Sequence, residues 1–359
     1  MKVIHYIGSL GFGGIERLVY DLVGQQNLDR TTKPAIGVGK LKGEFKSQFE
    51  SLNVQLLDFD LNSGFDLSPI KILNITKHFK SFDVLHLHGF HLSIVIAALL
   101  SKKKIVYTEH GNFGFGRKIK ISDRLSFLLR KVFFKYTKVT ICCNSNFTKT
   151  YVERHFYRGR RLHLVYNGCN LNYTIDKTLK EDLETKYRGK FVIGTSSRLA
   201  GFKKVNRLIS VFSEYIKINT EAVLVIVGDG IERQKLEKQV SDLKLVNNVV
   251  FEGFQKEVAT YQSIFDVCVF PSKNEPFGLV AVECYSKEKP VLVFRDGGGI
   301  TEIISKIEPN DICKDEKAMI NRLDYYYKNE FQWSVRHSKQ IECFDLKRME
   351  RDYYRQYSI

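Results

Sequence analysis

Two glutamates eight positions apart, Glu275 and Glu283, lie in the stretch Ser272-Lys273-Asn274-Glu275-Pro276-Phe277-Gly278-Leu279-Val280-Ala281-Val282-Glu283, just after an apolar run that ends at Phe270. Carboxylates accept paired hydrogen bonds from vicinal hydroxyls, so such a pair suits a sugar at one end and a ribose at the other. A helix beginning at Phe277-Gly278-Leu279 would separate the two by about two helical turns on one face. The exposed N–H groups of Gly278 and Leu279 would then suit a diphosphate. Positive charge comes from Arg198 and Lys203 in Ser196-Ser197-Arg198-Leu199-Ala200-Gly201-Phe202-Lys203-Lys204. Set between a strand and an amphipathic helix, they are placed to neutralise a diphosphate leaving group. A solvated basic loop accounts for the same charges when they are taken alone.

Three further groups could do chemistry. Gly8-Ser9-Leu10-Gly11-Phe12-Gly13-Gly14 follows the first apolar run and opens a helix near Ile15. Its glycines let backbone approach a phosphate or sugar, although a plain tight turn has the same composition and the spaced G-x-G-x-x-G of a dinucleotide site is missing. His86, His88 and His91 surround a strand end. A strand puts His86 and His88 on one face, but no nearby ligand completes a zinc motif, which favours polar packing in a core or cleft. From Ile121 to Tyr136, the residues Ile121, Leu125, Leu128, Leu129, Val132 and Tyr136 recur at helical spacing. Around them stand Arg117, Lys118, Lys120, Arg124, Arg130, Lys131, Lys135 and Lys138. This helix either packs its apolar stripe on a sheet or docks on anionic lipid.

The elements that must position these residues are strands of a parallel sheet. Short β-branched runs alternate with helical segments at Lys2 to Ile7, Ala35 to Val38, Val54 to Phe59, Val84 to Leu87 and Lys104 to Thr108. After a polar stretch the rhythm resumes at Phe191 to Ser196, Val223 to Val227, Val249 to Phe251, Val267 to Phe270 and Pro290 to Phe294. That pattern predicts two α/β domains. Asn167-Gly168 supplies turn chemistry for the junction, giving residues 1–168 and 169–344, with a terminal helix at about 345–359 packing back on the first domain. In open parallel sheets ligands sit at the carboxyl ends of the strands, so a central interdomain cleft is expected.

Composition bounds the rest. The 359 residues are 43% hydrophobic, enough for two cores. The longest apolar run, Ser93 to Leu100, falls well short of the roughly 20 residues of a membrane helix. Met1 to Gly8 lacks the basic start and apolar length of a signal peptide, so a cytoplasmic location is expected. Lysine and arginine number 56 against 40 acidic residues, and the formal charge of +16 draws the chain to polyanions. Nucleic-acid recognition motifs are not visible, and no nucleic-acid partner is expected. Seven cysteines without a C-x-x-C read as reduced thiols.

Taken together, the ordered motifs resemble the retaining, GT-B-fold nucleotide-sugar glycosyltransferases of family four, relatives of glycogen synthase. Gly13-Gly14-Ile15-Glu16-Arg17 resembles the family's Gly-Gly-x-Glu-Arg element, and Thr108-Glu109-His110-Gly111 its histidine loop. Arg198 through Lys203 is similar to its Arg-Leu-x-x-x-Lys segment, Val227-Gly228-Asp229-Gly230 to its Val-Gly-x-Gly turn, and Glu275 through Glu283 to its E-x7-E signature. Two positions depart from the pattern: Lys204 and Pro276 stand where glycine is frequent.

The resemblance implies an α/β protein of two facing Rossmann-like domains. It also implies transfer of a sugar, with retention, from a nucleoside diphosphate to a glycan or lipid-linked acceptor. By the same resemblance Arg198 and Lys203 neutralise the diphosphate, Glu275 contacts the sugar and Glu283 the ribose. His110 touches the sugar, the loop at Phe254 holds the base, and Gly13 and Gly14 approach the phosphate or acceptor. Gly228, Phe277, Gly278 and Leu279 belong to the donor site. The donor is expected to be a UDP- or GDP-sugar, with no cofactor and no metal, since basic side chains do the neutralising. An anionic membrane surface, on the inner face of the cytoplasmic membrane, is a further expected partner. The competing readings are a GT-B-fold epimerase or phosphorylase and a basic binding protein without catalysis.

Overall fold

Runs of apolar, β-branched residues without alternation bury both faces only when they lie inside a parallel sheet covered by helices. The computed structural model describes residues 1–359 except 12, 31, 64, 112–120 and 359, with the backbone alone at 122. Phe12 of the glycine loop and Arg117, Lys118 and Lys120 of the basic surround therefore lie outside the described residues. The chain divides into two units, Met1–Cys169 with Phe344–Ile359, and Asn170–Cys343.

Unit 1 holds β1 (Lys2–Ile7), β2 (Lys33–Val38), β3 (Gln55–Asp58), β4 (Val84–Leu87), β5 (Lys104–Glu109), β6 (Thr140–Cys143) and β7 (Leu162–Leu164). They form one sheet in the order β3-β2-β1-β4-β5-β6-β7, every pair parallel. Unit 2 holds β8 (Phe191–Ser196), β9 (Ala222–Val227), β10 (Val249–Gly253), β11 (Val267–Phe270), β12 (Val291–Phe294) and β13 (Ile312–Cys313), in the order β10-β9-β8-β11-β12-β13 and again parallel. In each sheet the first strand has neighbours reached in opposite directions, β2 and β4 around β1, β9 and β11 around β8. The loops leaving such a pair diverge and open a crevice at the carboxyl edge. Each unit therefore has its own switch point, and the candidate residues follow β1, β4 and β5 in unit 1 and β8, β9, β10 and β11 in unit 2.

Local sequence explains the helices that cover the sheets. In Val205–Tyr215 the buried residues Val205, Leu208, Ile209, Phe212 and Tyr215 recur every three or four positions and face the unit 2 core. The apolar run from Ser93 to Leu100 lies in the helix Leu92–Ser101, and no described helix is long and apolar enough to cross a membrane. The last helix, Leu346–Ser358, belongs to unit 1 and buries Met349, Tyr353 and Tyr357 there at four-residue spacing. The Cys169 N–H donates to the Phe344 carbonyl (3.0 Å) and the Leu346 N–H to the Cys169 carbonyl (3.1 Å), stitching the returning chain to the end of the first segment.

One expectation is corrected. The helix Ile121–Tyr136 turns Phe133 and Phe134 into the core, with Phe127 packed beside them. Ile121, Leu125, Leu128, Val132 and Tyr136 are exposed. The sheet-packing reading of that stripe fails because the helix has two apolar faces, and the aromatic one is buried.

Candidate active site

At the unit 2 switch point, β8 delivers the loop with Arg198 and Lys203, and β11 delivers the loop with Glu275. Lys203 Nζ lies 2.7 Å from Glu275 Oε2, with both side chains mostly buried and 72 positions apart in the chain. Arg198 is exposed on the same loop. The Glu275 backbone is pinned on both sides: its N–H donates to the Gly297 carbonyl (2.7 Å) and its carbonyl accepts from the Gly299 N–H (2.7 Å). Asn274 N–H donates to Asp296 O (3.0 Å), and Asp296 is held by Arg207 Nη1 at 2.9 Å. The Arg207–Asp296 support escaped sequence reasoning, since a surface arginine carries no mark of its partner 89 positions away.

The E-x7-E spacing does not span two helical turns. Helix Leu279–Tyr285 starts after Gly278, so only Glu283 is helical and Glu275 belongs to the preceding loop. Gly278 sits at φ +92°, and a Cβ there would come within 2.6 Å of Ile300, so both conformation and space require glycine. Phe277 is buried at 3% exposure. Leu279 and Glu283 are partly exposed, and Phe254 is exposed. Gly228, at φ +128°, would place a Cβ 2.0 Å from the Ser197 carbonyl. It lets the turn after β9 press against the Arg198 loop, where the Leu199 N–H donates to the Asp229 carbonyl at 2.9 Å.

Lys204 lies in the left-handed region at φ +53° and ψ +33°, joining the turn Gly201–Lys203 to helix Val205–Tyr215. A side chain there costs about 1–2 kcal/mol, partly offset by the freedom glycine loses on folding. Lys204→Gly is therefore expected to stabilise the protein by about 0.5–1 kcal/mol with the loop unchanged. Denaturant titration checks this, and a lower midpoint would refute it.

In unit 1 a cavity of about 550 Å3 opens beside the ends of β1, β4 and β5, with Gly8, His88, His91, Glu109, His110 and Arg130 among its walls. Gly13 caps helix Gly14–Leu28 in an extended conformation, and Gly14 has open space where a side chain would stand. His110 is buried and donates or accepts at Nε2 with His88 Nδ1 (3.0 Å). His5 Nδ1 meets His88 Nε2 at 3.0 Å, and His5 Nε2 meets Gln26 Oε1 at 2.8 Å. His86 contacts the Tyr357 hydroxyl and the Thr108 hydroxyl, each at 2.7 Å. One ring nitrogen from each of His5, His86 and His88 lies within 4.8 Å of the other two. All of them already have protein partners, so polar packing accounts for the cluster and a metal would have to break these bonds. His5 and Gln26 escaped the sequence reading because β1 and its helix lie far from β4 in the chain.

Burial pushes His5 and His110 down to about 4, and His86 and His88 well below the usual range with help from their histidine neighbours. All four are neutral at pH 7. The unfolded chain takes up protons below about pH 6.5 and the folded chain does so only near pH 4, so stability is lost as pH falls through that window. Roughly 1–2 kcal/mol for each of His5 and His110 should be gone by pH 5. Hydrogen exchange at the β1 and β4 amides would measure it, and protection unchanged between pH 7 and 5 would contradict it.

A second finding in this unit corrects the lipid-facing role of Arg130. Its Nη1 lies 2.7 Å from Glu109 Oε2, with the two side chains only 15% and 3% exposed, so Arg130 points inward and ties its helix to β5.

Comparison with known proteins fits this architecture. The family model described as Glycosyltransferase Family 4 matches residues 12–173, and that described as Glycosyl transferases group 1 matches residues 176–341. An uncharacterised glycosyltransferase of Methanocaldococcus jannaschii is 27% identical over 272 residues, 72% of this chain and 64% of that one. The N-acetyl-alpha-D-glucosaminyl L-malate synthase of Bacillus anthracis is 29% identical over 250 residues, 66% of this chain and 62% of that one. The chain thus spans slightly under two thirds of the length of these two relatives. The crystal structure of Anabaena HepE in complex with UDP and glucose superposes with a TM-score of 0.84, covering 100% of this chain and 99% of that one at 20% identity. Two parallel-sheet units and a full-length structural likeness give the chain the GT-B fold, and the two adjoining family-model matches make its two halves similar to glycosyltransferase domains.

Proposed function

We propose that the protein transfers a sugar, with retention and without a metal, from a UDP- or GDP-sugar to a hydroxyl of a glycan or lipid-linked acceptor. The observation that carries this reading is the Lys203–Glu275 pair at the unit 2 switch point, with Arg198 on the same loop. Lys203 and Arg198 stabilise the charge that grows on the diphosphate as the sugar–phosphate bond loosens. Glu275 meets the sugar, Glu283 the ribose, Gly278 and Leu279 the diphosphate through their amides, and the Phe254 loop the base. Gly228 shapes the loop that carries Arg198, and Phe277 acts through its backbone. Gly13, Gly14 and His110 serve the unit 1 side, where His110 contacts the sugar. The acceptor hydroxyl attacks from the leaving-group face and passes its proton to a phosphate oxygen. The HepE complex with UDP and glucose supports a nucleotide-sugar donor.

The test is a mass-spectrometric screen of nucleotide sugars against lipid-linked and soluble acceptors in excess chelator, with Glu275→Ala and Lys203→Ala as controls. Acceptor mass raised by one sugar, lost in both variants, supports the reading. Epimerised donor, phosphorolysis or a strict need for metal overturns it.

The exposed stripe of Leu125, Leu128, Val132 and Tyr136, flanked by Arg124, Lys131 and Lys135, supports docking on an anionic membrane. Each basic residue near such a surface contributes about 1 kcal/mol. Lys131→Glu with Lys135→Glu should therefore weaken flotation with phosphatidylglycerol vesicles by at least about tenfold at low salt. Absence of wild-type binding at low salt would end the membrane proposal.

A further inference from the structure

The histidines of unit 1 form a directed chain, and its direction is set far from the cavity. A neutral imidazole has one N–H and one lone pair. The Gln26 side-chain carbonyl only accepts, so His5 carries its proton on Nε2 and offers a lone pair at Nδ1. His88 must then donate from Nε2 to His5 Nδ1, which leaves His88 Nδ1 as an acceptor for His110 Nε2–H. The other end of the same amide runs a second chain. Gln26 N–H donates to the Tyr357 oxygen at 3.4 Å, and Tyr357 O–H donates to His86 Nδ1. His86 Nε2–H donates to Thr108, and Thr108 O–H to the Tyr353 oxygen at 3.1 Å. The Gln26 carbonyl therefore fixes the first chain, while the direction of the second rests on the Thr108 O–H donating to Tyr353.

We propose that Gln26 is a positioning residue for His110, acting through His5 and His88 to hold it in the Nε2–H tautomer so that Nδ1 is presented as a hydrogen-bond acceptor for a sugar hydroxyl. This rests on the reading that His110 meets the sugar. The burial that keeps all four imidazoles neutral supports it, because a protonated ring would donate from both nitrogens and break the chain. A metal held by His5, His86 and His88 is the competing use of the cluster. It would have to displace the His5–His88 bond and place a dication in a fully buried site whose nearest titratable groups are neutral.

The test uses the full-length 15N-labelled protein and long-range 1H–15N correlation at pH 7.5, with histidine signals assigned by single His→Gln variants. His5, His88 and His110 are each expected to show one protonated Nε2 and one unprotonated Nδ1. Gln26→Met should convert His110 to a mixture of tautomers and lower kcat about tenfold, with the donor KM held within about twofold. Tyr353→Phe, which cuts the end of the second chain in the same buried region, should leave the His110 pattern as in wild type. A wild-type His110 protonated at Nδ1, a Gln26→Met variant with an unchanged His110, or stoichiometric zinc that His5→Ala removes would each overturn the relay. His110→Ala that transfers sugar at the wild-type rate refutes the role assigned to His110, whereas an Nδ1-protonated His110 refutes the relay whatever the rate.

Discussion

Alanine at Glu275 is expected to lower sugar transfer by about 10²–10³-fold while the loop keeps its backbone conformation. The loop is held by main-chain bonds to Gly297 and Gly299 and by the Asn274–Asp296 contact, none of which uses the Glu275 carboxylate. Its removal is therefore local. Lys203→Ala should fall in the same range, because both members of the pair lie at the carboxyl edge where a diphosphate would gather charge. The double variant should be little worse than the poorer single one, since groups that act as a unit are not additive. Steady-state rates with a donor identified by the screen decide the matter. Full additivity, or Glu275→Ala within about twofold of wild type, would remove the pair from the chemistry.

Arg130→Ala should cost about 3–5 kcal/mol, the usual loss when one half of a buried ion pair is taken away. Glu109, only 3% exposed, would lose its guanidinium partner and keep, among the described residues, the Gly111 N–H at 3.2 Å. At about 2–4 °C per kcal/mol for a unit of this size, calorimetry should show a fall of roughly 6–20 °C. Glu109→Gln with Arg130→Met should recover most of it, because a matched neutral pair carries no desolvation penalty. A wild-type melting temperature for Arg130→Ala would show that the pair does not anchor the helix.

The strands that carry the candidate residues were legible because β1, β4, β8 and β11 are apolar on both faces, a pattern that only a covered parallel sheet satisfies. The strands β7 and β13 went unread because three and two residues are too short to show a period, and β6 because its Thr-Ile-Cys-Cys holds one aliphatic residue against the three of the equally short β4. Motif spacing singled out Lys203 and Glu275, and the structure brings them together. Spacing said nothing of Arg130, since whether a guanidinium faces solvent or core depends on a carboxylate from another strand. It also missed Gln26, an ordinary helix residue until the fold sets it against His5.

The closing helix has a consequence for synthesis. Tyr353 and Tyr357 complete the interior of a unit whose other residues leave the ribosome some 170 residues earlier, after the whole of Asn170–Cys343 has been made. Translation thus presents Met1–Cys169 well before the helix that fills its interior. Until Leu346–Ser358 emerges, the newborn chain carries an unfilled slot beside its buried imidazoles, and a stop codon before Leu346 would leave that slot open.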